Sequence, residues 1–403
     1  MRPFRGRRVL LGVTGGIACY KSIFVARELT LAGAEVDVVL TRAALEFVGR
    51  ITFEAVTGRP TFTELLGAGH ALDHIRLARA ADVVAVAPAT ADFLARAAAG
   101  RADDLLAAAL LAAEAPVLLV PAMNDRMWAH PQTGRNVTHL RELGYEVVDP
   151  AVGALAVGEG VGPGRMPEPE EIVARIGRRL EPAGALRGRR VLVTAGPTRE
   201  RVDPVRYISN DSSGRMGVAV AAAAWRRGAE VTLVHGPLAV PLPTGVTTVR
   251  VTTTAEMCEA VRERIGAQDV LVMAAAPADF RPRASAASKI KKDAGPRALE
   301  LEPTPDILLA TRDARRPGAV IVGFALETGD PTASARDKLA RKGLDLVVAN
   351  DATEPGAGFG VATNRVTLVA ADGEERLPLL DKREVADAIL DRAERLLEAR
   401  DGR

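Results

Sequence analysis

The chain has 403 residues, 48% of them hydrophobic and 26% charged, with a formal net charge of +2. Such a length exceeds one ordinary core and fits two domains, while the near-neutral balance and 3% aromatic content argue against nucleic acid, an anionic membrane or a base-stacking platform as partner. Two cysteines, Cys19 and Cys258, cannot build a disulfide framework and fit a reducing cytoplasm, and no apolar run reaches the roughly 18 residues of a membrane span.

The first apolar run, Val9–Val13, follows Arg5, Arg7 and Arg8 and imitates a secretory signal. Its apolar part is short and Thr14, Gly15 and Gly16 interrupt it, so a buried strand entering a glycine turn, with a helix from Ile17, accounts for every residue. Val- and Leu-rich runs recur at Val36–Leu40, Val83–Ala87 and Val117–Val120, separated by longer helical patterns such as LDHIRLARA at 72–80, which carries His74. Strands apolar on both faces lie in parallel sheets covered by helices, so the spacing predicts a doubly wound sheet. The glycine-rich stretch 152–165 reads as a mobile lid or a linker.

The alternation then restarts. Gly6-Arg7-Arg8-Val9-Leu10 returns as Gly188-Arg189-Arg190-Val191-Leu192, and DVVAVAPATADF from Asp82 is echoed by DVLVMAAAPADF from Asp269. Further runs follow at Val231–Val234, Val270–Ala274, Val320–Phe324 and Leu346–Ala349. We therefore expect two doubly wound, mostly parallel Rossmann-like α/β domains, 1–178 and 189–403, joined by a linker at 179–188 around Pro182 and Gly184.

Ligands of open parallel sheets bind at the carboxyl ends of the strands. In the first half those ends are Thr14-Gly15-Gly16, Thr41, Pro88-Ala89-Thr90 and Pro121-Ala122-Met123-Asn124. Glycines before a helix admit a phosphate, though a tight turn needs glycine anyway; the hydroxyls of Thr41 and Thr90 favour the nucleotide reading. His74 reads as either a partnered structural residue or a proton carrier, and Asn124 as a carboxylate ligand or a turn former. In the second half, 194–217 combines a glycine strand end with Arg206, Asn210, Ser212, Ser213 and Gly214, an anion cradle ahead of a helix from Met216. Asp279 closes another strand. Five of the seven lysines (Lys289, Lys291, Lys292, Lys338, Lys342) fall in one stretch, where compact ammonium groups suit a phosphate. Neither G-x-G-x-x-G nor GxxxxGK[ST] occurs, which weighs against a dinucleotide-dependent oxidoreductase and a P-loop enzyme.

Through TGGIACYKS at 14–22, DHI at 73–75, APATAD at 87–92, PAMN at 121–124, GPGRM at 162–166, AGPTRE at 195–200, DPVRYISN at 203–210, SSGRMG at 212–217, KIKK at 289–292, GFALET at 323–328 and AND at 349–351, nearly the whole chain resembles the bifunctional phosphopantothenoylcysteine decarboxylase / phosphopantothenate-cysteine ligases of coenzyme A synthesis. The resemblance implies a flavoprotein-type N-terminal half that binds FMN through Gly15, Gly16, Thr41 and Thr90, oxidises the substrate thiol and so eases decarboxylation, with His74 and Asn124 as catalytic residues. It implies a ligase-type C-terminal half in which CTP activates 4'-phosphopantothenate as an acyl cytidylate that L-cysteine attacks. Lys289, Asn210 and Arg206 would be catalytic there, and Met273, Ala274, Ala275, Asp279, Lys289, Pro305, Asp306, Ile307, Leu308, Phe324, Lys338 and Lys342 would contact CTP with its Mg2+, whose ligands are not identified. It further implies a cytoplasmic homo-oligomer, trimeric around the flavin and dimeric in the ligase half, combining into a dodecamer. One departure stands out: many relatives carry ACG before GPGRM, and this chain has Ala156-Val157-Gly158 with an apparent one-residue insertion, leaving a valine in place of the cysteine that the resemblance implies as proton donor. Two alternatives follow from it, an active ligase with an impaired or regulatory decarboxylase half, and a non-enzymatic FMN-binding subunit.

Overall fold

The computed structural model describes residues 2–402 apart from 67–70, 156, 159, 292–297 and 359; Ala156 and Lys292, singled out above, lie outside the described residues. The chain forms two compact units, Met1–Glu181 and Pro182–Arg403.

Unit 1 runs β1 (Arg8–Val13), α1 (Cys19–Leu31), β2 (Glu35–Leu40), α2 (Arg50–Thr57), β3 (Thr61–Phe62), α3 (Asp73–Ala80), β4 (Val83–Ala89), α4 (Ala91–Ala98), α5 (Leu105–Leu111), β5 (Val117–Pro121), α6 (Asp125–Ala129), α7 (Pro131–Glu142), β6 (Glu146–Val147), β7 (Ala151–Ala154), β8 (Val161–Arg165) and α8 (Pro169–Leu180). Arg179 and Leu180, read from sequence as linker, close α8. The sheet order is β3-β2-β1-β4-β5-β6, with parallel pairing throughout. The pleat explains the unbroken apolar runs: Val9, Leu11 and Val13 of β1 enter one core, Leu10 enters the other, and Gly12 leaves room for Leu106 of α5, which a Cβ would meet at 2.4 Å.

Unit 2 runs β9 (Arg190–Ala195), β10 (Arg199–Arg201), β11 (Tyr207–Ser209), α9 (Arg215–Arg226), β12 (Glu230–His235), β13 (Thr247–Arg250), α10 (Thr254–Ile265), β14 (Val270–Met273), β15 (Phe280–Pro282), β16 (Leu301–Pro303), α11 (Ile307–Ala310), β17 (Val320–Glu327), α12 (Thr332–Lys342), β18 (Leu346–Asp351), β19 (Thr363–Asn364), β20 (Thr367–Ala370), β21 (Gly373–Arg376), β22 (Leu380–Asp381) and α13 (Lys382–Asp401). Its large sheet has the order β13-β12-β9-β14-β17-β18-β20-β21, parallel as far as β18 and antiparallel at β20 and β21.

The sequence repeat is a structural one at the amino edge of each sheet. Asp82 accepts the Arg8 amide at 2.7 Å and Asp269 the Arg190 amide at 2.8 Å, so each carboxylate fixes the start of the central strand pair. Both sheets reverse their strand order beside that pair, between β1 and β4 and between β9 and β14, which makes each a topological switch point with a crevice at its carboxyl end. No helix among the described residues is long and apolar enough to cross a membrane.

Helix α9 lies tightly on β9 because Gly217 has no side chain; a Cβ there would come within 2.7 Å of the Thr194 carbonyl. Gly217→Ala gains up to about 1 kcal/mol of helix propensity but forces α9 off the strand at a cost of ~1–3 kcal/mol. Calorimetry should therefore show the unit 2 transition lowered and that of unit 1 unmoved.

Candidate active site

At the unit 1 switch point the buried Thr14 hydroxyl donates to Pro88 O at 2.8 Å and accepts the Thr90 amide at 3.0 Å. Thr90 in turn caps α4 by accepting the Phe93 amide at 3.3 Å. Thr41 is buried, and its hydroxyl accepts the Ala44 amide at 3.3 Å. The two glycines separate into two jobs. A Cβ on Gly15 would meet the Ala43 backbone at 2.7 Å, so that glycine serves the close packing of the loops after β1 and β2, whereas a Cβ on Gly16 would meet only Thr90 Cγ2 at 3.9 Å. Gly16 thus leaves backbone open ahead of α1, whose first turn has no side-chain cap, and such an end favours an anion. These residues fit a flavin phosphate.

The stretch read as a mobile lid or a linker contains a paired antiparallel hairpin, β7 with β8. Gly164 O accepts the Met123 amide at 3.0 Å, and a Cβ on Gly164 would collide with Met123 O at 2.2 Å; close approach is what its glycines provide. Val157 stands fully exposed at the tip. Just past β8, Lys21, buried in α1, donates to Met166 O at 2.9 Å and pairs with Glu168 at 2.8 Å. Asn124 caps α6, its Oδ1 accepting the Arg126 amide at 2.9 Å. His74, in the first turn of α3, borders a cavity of about 420 Å3 with Leu65, Leu66, Ala108 and Leu111. Its Nδ1 is buried without a hydrogen-bond partner among the described residues, and Thr14, Thr41, Thr90 and Asn124 do not line that cavity.

At the unit 2 switch point the buried Thr194 hydroxyl accepts the Ala275 amide at 3.1 Å. Gly196 O accepts the Ala276 amide at 2.9 Å, and Thr198 Oγ1 accepts the Ala278 amide at 2.9 Å. Asn210 donates to Pro277 O at 2.9 Å and Ala276 O at 3.3 Å. On the far side Thr304 donates to Asp279 O and Ala278 O, at 2.9 and 2.6 Å. Loop 274–279 is therefore held on both sides. The helix α9 begins at Gly214 in left-handed backbone (φ +77) with no side-chain cap, and Ser212 Oγ accepts the Gly214 amide at 3.3 Å.

The expected cradle is divided among three supports. Ser212, Ser213 and Gly214 form the approach to α9, Asn210 belongs to loop 274–279, and Arg206 pairs with the fully buried Asp203 at 3.2 Å while donating to Ile290 O at 3.1 Å. Lys289 and Lys291 are exposed. Lys338 and Lys342 stand elsewhere, on α12: Lys338 donates to Phe324 O, and Lys342 pairs with Asp306 at 2.7 Å. Burial, reinforced by Lys342, lowers the Lys338 pKa against the opposing pull of Asp306, Glu327 and Asp279. Burial raises that of Asp306, but Lys342, the Leu309 amide and Lys338 outweigh it and hold the carboxyl below its usual range. Met273, Ile307 and Leu308 are core residues, so only their backbones are available to a nucleotide. Among the described residues no group of three or more His, Cys, Asp or Glu is disposed to hold a metal ion.

Sequence reasoning missed Asp203, Lys21 and the strand-end Thr194, and picked out Thr14 as a strand end without the hydrogen bonds of its hydroxyl. The Asp-Pro dipeptide at 203–204 was a signal for the first, since Asp before Pro opens an Asx turn.

A family model described as "Flavoprotein" matches residues 2–181, and one described as "DNA/pantothenate metabolism flavoprotein C-terminal domain" matches residues 186–397. The chain is 43% identical over 401 residues to the coenzyme A biosynthesis bifunctional protein CoaBC of Vibrio vulnificus strain CMCP6, spanning 98% of this chain and 100% of that one. It is 49% identical over 384 residues to the protein of the same description from Mycobacterium tuberculosis strain H37Rv, spanning 92% and 91%. Among solved structures, the C-terminal domain of a coenzyme A biosynthesis bifunctional protein CoaBC is 41% identical and spans 54% of this chain and all of that one, with a TM-score of 0.46. The FMN-dependent cysteine decarboxylase SpaF is 37% identical and spans 44% and 97%, with a TM-score of 0.38.

The depressed Asp306 pKa sets an acid limb. Its pairing is fully present above the unfolded carboxylate pKa of about 4 and is lost as pH falls through the lower folded value. Because solvent screens the partly exposed pair, Asp306→Asn should remove about 1 kcal/mol from unit 2 at pH 7 and almost nothing at pH 2. Urea unfolding of both proteins at the two pH values checks this.

Proposed function

Since the chain belongs to the family of coenzyme A biosynthesis bifunctional proteins, we propose that it joins 4'-phosphopantothenate to L-cysteine at the expense of CTP and decarboxylates the product to 4'-phosphopantetheine with FMN. The observation that carries the ligase reading is the gathering of Lys338, Lys342 and Asp306 by Phe324, with loop 274–279 fixed by Thr194 and Asn210.

A carboxylate is a poor electrophile because oxide is a poor leaving group. Its attack on the α-phosphorus of CTP expels pyrophosphate and leaves an acyl cytidylate. The amine of cysteine then attacks the acyl carbon, losing a proton as CMP departs. Lys289 neutralises the charge that develops on the phosphoryl group, and Arg206 and Asn210 hold the acyl intermediate. Nucleotide contacts fall to Met273, Ala274, Ala275, Asp279, Pro305, Asp306, Ile307, Leu308, Phe324, Lys338 and Lys342. Mg2+ enters on the triphosphate.

In unit 1, Gly16, Thr41 and Thr90 would hold FMN at the open end of α1, with Gly15 setting the close packing of the loop that carries them. FMN, when bound, supplies a reversible two-electron oxidation of the substrate thiol. His74 takes or positions the thiol proton, which its unpartnered buried Nδ1 supports, and Asn124 holds the carboxylate. The His74 cavity does not include the strand-end residues, and a second copy is read here as bringing the two parts of the site together. The exposed Ile17, Tyr20, Phe24, Phe47 and Ile51 supply apolar surface for such an assembly, here read as trimers about the flavin and dimers of the ligase half, forming a cytoplasmic dodecamer.

Val157 has no proton to give. Cys19 is no substitute: its buried thiol donates to Thr14 O at 3.0 Å, and burial pushes its pKa up. Water or another group therefore completes turnover, and mass analysis of the pantothenoyl product should find the saturated thiol; an enethiol alone would overturn this reading. Lys289→Gln should abolish pyrophosphate release from CTP while leaving the yellow flavin bound. An unaltered rate removes Lys289 from the mechanism.

A further inference from the structure

We infer that Asp203 is a positioning residue of the ligase half, a latch that fixes the Lys289 segment against the loop carrying Arg206; the inference rests on the roles proposed above for those two residues. Asp203 is completely buried, yet both of its oxygens are engaged. Oδ1 accepts the amides of Val205 and Arg206, each at 2.8 Å, which closes the Asp-Pro turn on itself. Oδ2 reaches 87 residues along the chain to accept the Ile290 amide at 3.2 Å, and takes the Arg206 guanidinium at 3.2 Å. That guanidinium donates back to Ile290 O at 3.1 Å, so both backbone groups of the residue after Lys289 are held. At the other end of the segment the Ala286 amide donates to Val202 O at 2.9 Å.

Lys289 is thus exposed on a segment tied down on both sides of it. A flexible ammonium group stabilises developing charge only when its backbone is fixed beforehand, and Asp203 is the group that fixes it. One carboxylate also sets the relative placement of Arg206 and Lys289, two cations that must meet the same reacting group. Burial alone would raise the Asp203 pKa, but the three amides and the guanidinium outweigh that and hold it low, so the latch stays charged in neutral solution.

Asp203→Asn separates the latch from the turn. Its single carbonyl can keep the Val205 and Arg206 amides, while its amide nitrogen faces the Ile290 N–H and the guanidinium, donor against donor. In the full-length protein, this variant should lower kcat for pyrophosphate release about 30-fold with the KM for CTP within about twofold, the pattern of lost positioning rather than lost binding. Trypsin should cut after Lys289 about tenfold faster, because an untied segment opens locally. Asp203→Ser, which retains a turn-capping hydroxyl but cannot reach Ile290, serves if the asparagine variant does not fold. A wild-type kcat, or an unchanged rate of cleavage after Lys289, overturns the latch. Lys289→Gln measured beside them keeps the two claims apart: full activity there removes the role of Lys289, while cleavage in the Asp203 variants still decides whether the segment is latched.

Discussion

One hydrogen bond underlies each candidate site: a buried threonine hydroxyl at the end of the first strand accepts a backbone amide from the loop after the strand beside it. Thr14 does this for Thr90, and Thr194 for Ala275. The strand order reverses at that point in both units and the paired strands part; one main-chain bond still links the loops, Thr14 N to Pro88 O and Ala276 N to Gly196 O, and the threonine hydroxyl satisfies a further amide that would otherwise be orphaned. A hydroxyl, able to donate and accept at once, fills the gap without closing the crevice. The remaining site residues are placed relative to these two loops.

Close approach is the second constraint. Gly15 packs on Ala43 and Gly217 on β9, each where a Cβ would meet backbone. Gly16, by contrast, faces open space. Two adjacent glycines therefore serve opposite needs, one pressing protein on protein and the other leaving room for a ligand.

What could be read from sequence follows from what each feature needs. Every apolar run singled out falls on a strand of the large sheets, Val270–Ala274 passing the end of β14 by one residue, since burial on both faces demands such a run. The hairpins β7–β8 and β10–β11 and the edge strand β21 were not legible. Gly373–Arg376 is exposed throughout, and 151–165 is built for close approach and has a glycine-rich composition that also describes a linker. Residue types at the sites were legible, but their grouping was not: nothing in the spacing says that Lys342 pairs with Asp306, or that Arg206 leaves the cradle to join Ile290. His74 was recognisable as a candidate, but its position in an apolar cavity depends on the packing of α3 against α5. Val157, where the resemblance implies a cysteine, lies between the paired strands β7 and β8.

The contact of Lys21 with Met166 O and Glu168 gives α1 two clients. Its uncapped first turn follows the Gly15-Gly16 loop, and Lys21 in that same turn holds the chain just past β8. Residue 157 stands at the far end of that hairpin and contributes nothing to its anchorage, which lies in Lys21 and in the glycines against Met123 and Asp125. Attachment at the root is therefore independent of the side chain at the tip, and a change of residue type at position 157 leaves the anchorage of the hairpin intact.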